Sequence, residues 1–258
     1  MKGDSPPAAS AGEYDRARYN PEMRKVWPWP SVLLEKVAKW VNDLAGPVWL
    51  DAACGEGHLC QLVRGNKQVI GLDLDSRRLA RARSRPYRVL MQGSLTTIPL
   101  ADATLDGIAS VETLEHVSDL DGALKEFSRC LRPQGHLVIT APSVTLRSLW
   151  QMRQMRQPVY CSESEHVREL SSVPIRGFPH MFETWDRFEG RLQCHGFEVV
   201  KTSGVGFLLP RWQGRLAWVE RGMNLLYWEL CNDSLGKLPI MRRFPYYRMY
   251  LLRSRGRL

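Results

Sequence analysis

No stretch of this sequence is both long and apolar enough to cross a bilayer. Gln134 to Leu146, free of acidic and strongly basic side chains, falls short of a span and holds Gln, His, Ser and Thr. Met1 to Gly12 is rich in Pro, Ala and Ser and has no apolar core. No secretory leader is therefore expected, and a cytoplasmic location is. None of the six cysteines (54, 60, 130, 161, 194 and 231) forms a CxxC pair, which argues against a zinc knuckle or disulfide framework and for reduced thiols. Acidic residues become scarce toward the end: from Lys201 onward three Asp/Glu face eleven Lys/Arg. That imbalance accounts for most of the net charge of +9. Its Trp and Tyr lie among the charges, as expected for an anionic partner: a membrane surface, a phosphorylated substrate or nucleic acid. The other reading is a solvated basic face that aids solubility.

Composition is otherwise that of an ordinary globular chain, with 44% apolar and 24% charged residues over 258 positions. Residues 1–12 are expected to be disordered, and 13–25 to form a short polar helix stopped by Pro28 and Pro30. Ser31 reads as the N-cap of a helix reaching about Leu44, with Val32, Leu33, Val37, Trp40 and Val41 at helical spacing. Strands are predicted over 48–51, 68–73, 87–91, 106–111 and 136–140. Helices are predicted over 58–64, 76–84 and 120–131. That alternation means a parallel sheet with helices on both faces. Beyond Pro142 the rhythm changes. Helices are expected over 144–157 and 183–195, a loop over 161–179, strands over 197–202 and 246–253, and an amphipathic helix over 213–230.

The densest chemistry lies in Asp51-Ala-Ala-Cys-Gly-Glu-Gly57, just past the first strand. Ligands in open α/β sheets bind at the carboxyl ends of strands, and Gly55 and Gly57 allow a tight turn and close backbone approach. A dinucleotide fingerprint would need a third small residue at 60, where Cys60 stands.

Asp51 to Gly57 resembles the first motif, D-x-G-x-G-x-G, of the class I S-adenosylmethionine-dependent methyltransferases, above all the group acting on small molecules and lipid-like quinones. Ala53 stands where that motif has its first glycine. Gly71-Leu-Asp73 follows at the second strand's end, where the resemblance makes Asp73 the ligand of the ribose hydroxyls. Asp75 is expected to cap the next helix. Ser94-Leu95, after Gln92-Gly93, occupies the place of the family's Gly-Asp pair near the adenine amine. Ile98 to Asp102, Leu105-Asp106, Val111 to His116, Leu131 to Gly135 and Gly196-Phe-Glu-Val-Val continue it in register.

The resemblance implies a Rossmann-like fold with a seven-stranded, mostly parallel sheet, helices on both faces and the last strand antiparallel. It also implies S-adenosylmethionine as cofactor. Residues 13–258 would form a single methyltransferase domain, its cofactor-binding core at about 47–142 and its substrate cover at 143–182 and 203–245. The cofactor set is Asp51, Ala53, Gly55, Gly57, Asp73, Ser94 and Leu95. His116 and His180 are the catalytic candidates. Glu112, Glu115 and His116 form E-x-x-E-H, which resembles the divalent-metal site of quinone O-methyltransferases and small-RNA 2′-O-methyltransferases; the set would suit Mg²⁺ or a transition metal, with His166 or His180 available as a further ligand, and the alternative is transfer without a metal.

Neither an Asn/Asp-Pro-Pro-Tyr/Phe segment nor a Pro-Cys occurs, which disfavours adenine or glutamine amine methylation and the cysteine-nucleophile route to 5-methylcytosine. The expected acceptor is a small molecule, anionic or lipid-linked, met at the membrane surface through the basic C-terminal region. The alternatives are RNA methylation by that same face, and a methyltransferase-like binding protein without turnover.

Overall fold

The computed structural model describes residues 29–142, 185–205 and 247–256. α1 (Trp29–Asp43) leads into β1 (Val48–Ala52), β2 (Gln68–Asp73), α2 (Ser76–Ala82), β3 (Val89–Gln92) and β4 (Leu105–Ser110). A 3₁₀ turn (Leu114–His116), α3 (Leu120–Cys130), β5 (Leu131–Pro142), α4 (Trp185–Cys194), β6 (Phe197–Val205) and β7 (Tyr247–Ser254) follow.

The strands form one seven-stranded sheet in the order β3-β2-β1-β4-β5-β7-β6. Only β7 is reversed, pairing antiparallel with β5 and β6, whereas β1 to β5 pair parallel. The order changes direction between β1 and β4, so the ligand crevice of an open α/β sheet falls at the carboxyl ends of those two strands.

Side chains alternate across the sheet, which gives it two cores. On one face Leu33, Leu34, Val37, Ala38 and Val41 of α1 cover Trp49, Ala109, Val138, Met249 and Leu251. These helix positions recur every three to four residues, the spacing of one helical stripe. On the other face Leu120, Ala123, Leu124, Phe127 and Cys130 of α3, with Phe188 and Leu192 of α4, cover Leu50, Ala52, Ile108, Ile139 and Tyr250. Burying each large apolar side chain there contributes about 1.5–3 kcal/mol.

Three local expectations need correction. α1 begins at Trp29, so Ser31 lies inside the helix rather than capping it. Pro30 sits in the first turn, where its missing N–H has no helical partner to lose. The helix expected over 58–64 is instead a chain of tight turns, closed by Leu62 N–H to Leu59 O at 2.9 Å and Val63 N–H to Cys60 O at 3.3 Å. Gly57 (φ +80°) and Gly65 (φ +79°) bound it with left-handed backbone. β5 starts at Leu131 rather than His136, and takes up the Pro133-Gln134 turn as an irregularity before its register with β4 resumes at His136. Asp75 caps α2 as expected, its Oδ1 accepting from Arg77 N–H at 2.8 Å. The helices expected over 13–25, 144–157 and 213–230, the loop over 161–179 and the substrate cover lie outside the described residues.

Candidate active site

β1 ends in a turn with little freedom to be anything else. Ala53 (φ +61°), Gly55 (φ +55°) and Gly57 (φ +80°) all take left-handed backbone. Cys54 N–H donates to Leu72 O at 2.9 Å, tying the turn to β2. Gly55 N–H donates to Asp73 Oδ2 at 2.8 Å, and Asp75 N–H donates to Asp73 Oδ1 at 2.9 Å. Gly93 N–H donates to the main-chain carbonyl of Asp73 at 3.1 Å, which ties the start of the 94–102 segment to the end of β2. Asp51, Ala53, Gly55, Gly57 and Asp73 thus converge at the carboxyl ends of β1 and β2.

Both acids here are buried, Asp51 at 4% and Asp73 at 5% exposure. Tyr87 Oη donates to Asp51 Oδ2 at 2.6 Å. Burial raises the Asp51 carboxyl to about 7; the Tyr87 hydrogen bond opposes this and the nearby Asp73 charge adds to it. The Cys54 thiol is pushed up by burial, then by Asp51 and Asp73, so it stays a protonated packing residue and not a nucleophile.

The glycine turn also has an outer wall that the sequence reading missed. Glu56, 5% exposed, accepts from Arg81 Nη1 at 2.9 Å. Arg85 Nε donates to Glu56 O at 3.3 Å. A Cβ on Gly55 would stand 2.8 Å from Arg78 Nη2, and one on Gly57 would stand 2.7 Å from Arg85 Cγ and 2.8 Å from Tyr87 Cε2. The signal was legible: residues 76–101 hold six arginines (77, 78, 81, 83, 85 and 88) and no acid. Arg78, Arg81 and Arg85 meet the turn, whereas Arg77, Arg83 and Arg88 are exposed.

The remaining candidates are spread more widely. Ser94 Oγ lies 2.8 Å from Thr96 Oγ1 and accepts from Thr96 N–H at 3.2 Å, so this hydroxyl serves its own turn. Leu95 is buried in the core beside Leu72 and Ile98. Beyond β4, Glu112 takes left-handed backbone (φ +51°), its N–H donating to Thr140 Oγ1 at 2.8 Å. Glu115 is buried and accepts from Tyr247 Oη at 3.3 Å, whereas His116, next in the 3₁₀ turn, is exposed. No group of three or more His, Cys, Asp or Glu among the described residues is placed to hold a metal ion, so Glu112, Glu115 and His116 are not gathered into one coordination set. His166 and His180 lie outside the described residues.

The family described as a methyltransferase domain matches residues 50–139, the segment that carries this turn and the crevice above it. A relative extends the likeness over most of the chain: the "Ubiquinone biosynthesis O-methyltransferase" of Rhodopseudomonas palustris (strain BisB18) is 30% identical over 215 residues, 78% of this chain and 77% of that one. The chain belongs to the class I S-adenosylmethionine-dependent methyltransferases. A "Probable S-adenosylmethionine-dependent methyltransferase" of Mycolicibacterium smegmatis is 37% identical over 163 residues, 62% of this chain but only 56% of that protein. The chain thus spans about half the length of that relative. In fold, it is similar to a SAM-dependent methyltransferase from Thermotoga maritima, with a TM-score of 0.60 at 15% identity and 95% of each chain covered. No described helix is long and apolar enough to cross a membrane.

Proposed function

We propose that this methyltransferase transfers the methyl group of S-adenosylmethionine to a hydroxyl of a small acceptor that is anionic or lipid-linked. The observation that carries the reading is the Asp51–Gly57 turn stitched to Asp73 at the switch point of the sheet. The donor set suits the cofactor. Asp73 accepts two backbone N–H groups, and a carboxylate has about four acceptor positions, so capacity remains for a ribose diol. Ser110 at the end of β4 adds a fully buried hydroxyl with no hydrogen-bond partner among the described residues, the kind of group a bound ligand satisfies.

When bound, the cofactor supplies an electrophilic methyl on a sulfonium. The chain's own task is to hold the turn, align the acceptor with the methyl and exclude water; alignment can supply much of the rate enhancement. In this reading Asp51, Ala53, Gly55 and Gly57 shape the cofactor cradle, and Ser94 and Leu95 border its adenine end. A hydroxyl acceptor must lose a proton, and exposed His116 past β4 is the described residue suited to take it. His180 remains the second candidate base. The hydroxyl acceptor is supported by the O-methyltransferase relative, and the anionic character by exposed Arg77, Arg83 and Arg88 and by the basic stretch after Lys201.

Calorimetric titration with S-adenosylmethionine and its demethylated product tests the cofactor, and methyl transfer to a panel of phenols, lipid-linked hydroxyls and RNA tests the acceptor. Saturable binding lost in Asp73→Ala, with turnover on a lipid-linked hydroxyl, is the expected result. Turnover on RNA alone would overturn the small-acceptor reading. Binding without turnover on any acceptor would favour a binding protein.

A further inference from the structure

We infer that Arg81, acting through Glu56, is a positioning residue that sets cofactor affinity without touching the cofactor. The inference rests on the reading above, that the Asp51–Gly57 turn cradles S-adenosylmethionine.

Glu56 is the one residue between two glycines, so it carries the only side chain by which the Gly55–Gly57 segment can be held, beside the bonds of its backbone. Glycine has the most backbone freedom of any residue, and a turn built from it is accurate only where its surroundings restrict it. Here the side-chain restriction comes from α2 and the segment after it. The Glu56 carboxylate is buried and directed at α2, where Arg81 Nη1 meets it at 2.9 Å. Arg85 Nε holds the carbonyl of the same residue at 3.3 Å. The Arg78 guanidinium stands against Gly55, and the Arg85 stem and Tyr87 ring stand against Gly57, close enough that a Cβ on Gly57 would not fit without a shift of that stem or ring.

The asymmetry of the pair decides its role. Arg81 keeps 38% of its side chain exposed and Glu56 only 6%. Losing the arginine would leave a buried carboxylate uncompensated, and the cheapest relief is for Glu56 to swing toward water. That movement rotates the peptides on either side of it. One of them carries the Gly57 N–H, which closes the turn on Cys54 O at 2.9 Å, and the peptide just before them carries the Gly55 N–H bonded to Asp73, so a loosened turn also loosens the fixed partner of the carboxylate proposed for the ribose. A partner one layer from the ligand therefore holds the geometry of the first layer.

The test titrates S-adenosylhomocysteine into the wild-type chain, Arg81→Gln, Glu56→Gln, the double variant and Arg81→Lys, with thermal unfolding measured on each. The expected result is a Kd raised about tenfold in Arg81→Gln at temperatures where the fold is intact, as breaking one partner of a buried pair is costly. The double variant should bind no more weakly than Arg81→Gln, because both changes remove one interaction, and Arg81→Lys should recover most of the affinity. Unchanged Kd values across the variants, with or without a lower melting temperature, would overturn the inference and leave the pair merely structural. Fully additive losses in the double variant would overturn it as well. A wild-type chain that binds no S-adenosylhomocysteine would overturn the cofactor reading itself, and that outcome is distinct because it appears before any variant is compared.

Discussion

The hydroxyl of Tyr87, just ahead of β3, reaches the buried carboxyl of Asp51 on β1 at 2.6 Å, passing beneath the glycine turn. The contact joins positions 36 residues apart and is the one polar bond described for the Asp51 side chain. Tyr87→Phe deletes it without changing shape, leaving a buried acid short of a donor. Such a loss costs about 1–3 kcal/mol. The same change removes the one influence that lowers the Asp51 pKa, so that carboxyl should titrate higher still. Denaturant unfolding gives the first quantity, and carboxyl NMR titration of the variant gives the second. An unchanged Asp51 titration would mean that the bond is not formed in solution.

Asp51 also gives the protein a pH dependence of a particular sign. Its pKa rises from an unfolded value of 3.8 to about 7 on folding, so the folded state holds the proton more tightly. Stability from this group is fully present below pH 4 and is lost as pH rises from about 4 to 7. The full span is worth at most about 4 kcal/mol, at about 1.4 kcal/mol per unit. Asp121 and Glu126 act oppositely: their hydrogen bonds with His195 and Arg129 lower their pKa values, and their contributions fade in acid. Comparison with Asp51→Asn isolates the first effect. The stability of the wild-type chain minus that of Asp51→Asn should fall steadily between pH 4 and 7 and level off above. A flat difference would place the Asp51 pKa near its ordinary value.

The sheet was legible in the sequence because each β1–β4 strand is a short apolar run ended by a turn or an acid, and the alternation of strands and helices admits few topologies. Asp51, Gly55, Gly57 and Asp73 were legible for a similar reason: the chemistry sits in one contiguous motif and one strand end. The 58–64 segment was misread because local propensity says helix there, whereas two left-handed glycines at 57 and 65 set its ends. Glu115 read as a possible metal ligand because E-x-x-E-H resembles a divalent-metal site, but it faces Tyr247, a partner 132 positions away that no local pattern announces. The arginine wall was missed through averaging. Counting charge over the first 200 residues gave near balance and hid six arginines with no acid over 76–101.

Ala53 occupies left-handed backbone at φ +61°, where a Cβ is disfavoured by roughly 1–2 kcal/mol. Ala53→Gly removes that strain. Against it stands the larger conformational entropy glycine brings to the unfolded chain, about 0.5–1 kcal/mol. The net expectation is a gain of about 0.5–1 kcal/mol, read as a rise in denaturant midpoint at constant slope, with cofactor affinity equal to or tighter than that of the wild type. A clear loss of stability would mean that the methyl group's packing against the adjoining core outweighs the backbone term.

Arg129 in the last turn of α3 does for the 97–103 segment what Arg81 does for the glycine turn. Its Nη1 donates to Leu100 O at 2.7 Å and its Nη2 to Ile98 O at 2.9 Å. Glu126, which it pairs through Nε at 2.7 Å, in turn accepts from Ile98 N–H at 2.7 Å. Asp102 closes the set at 2.8 Å, though half of its side chain is exposed, and an exposed pair contributes little. The bonds to the two carbonyls should therefore dominate. Arg129→Ala is expected to cost about 2–3 kcal/mol, the scale of losing charged hydrogen bonds to part-buried groups. Asp102→Ala should cost less than about 1 kcal/mol. Since Ser94 and Leu95 enter this segment directly from Gly93, which is bonded to Asp73 O, the arginine variant should also weaken S-adenosylhomocysteine binding while the Asp102 variant does not. Unfolding and titration of both proteins decide it: equal losses in the two would mean that the ion pair, and not the carbonyl bonds, holds the loop.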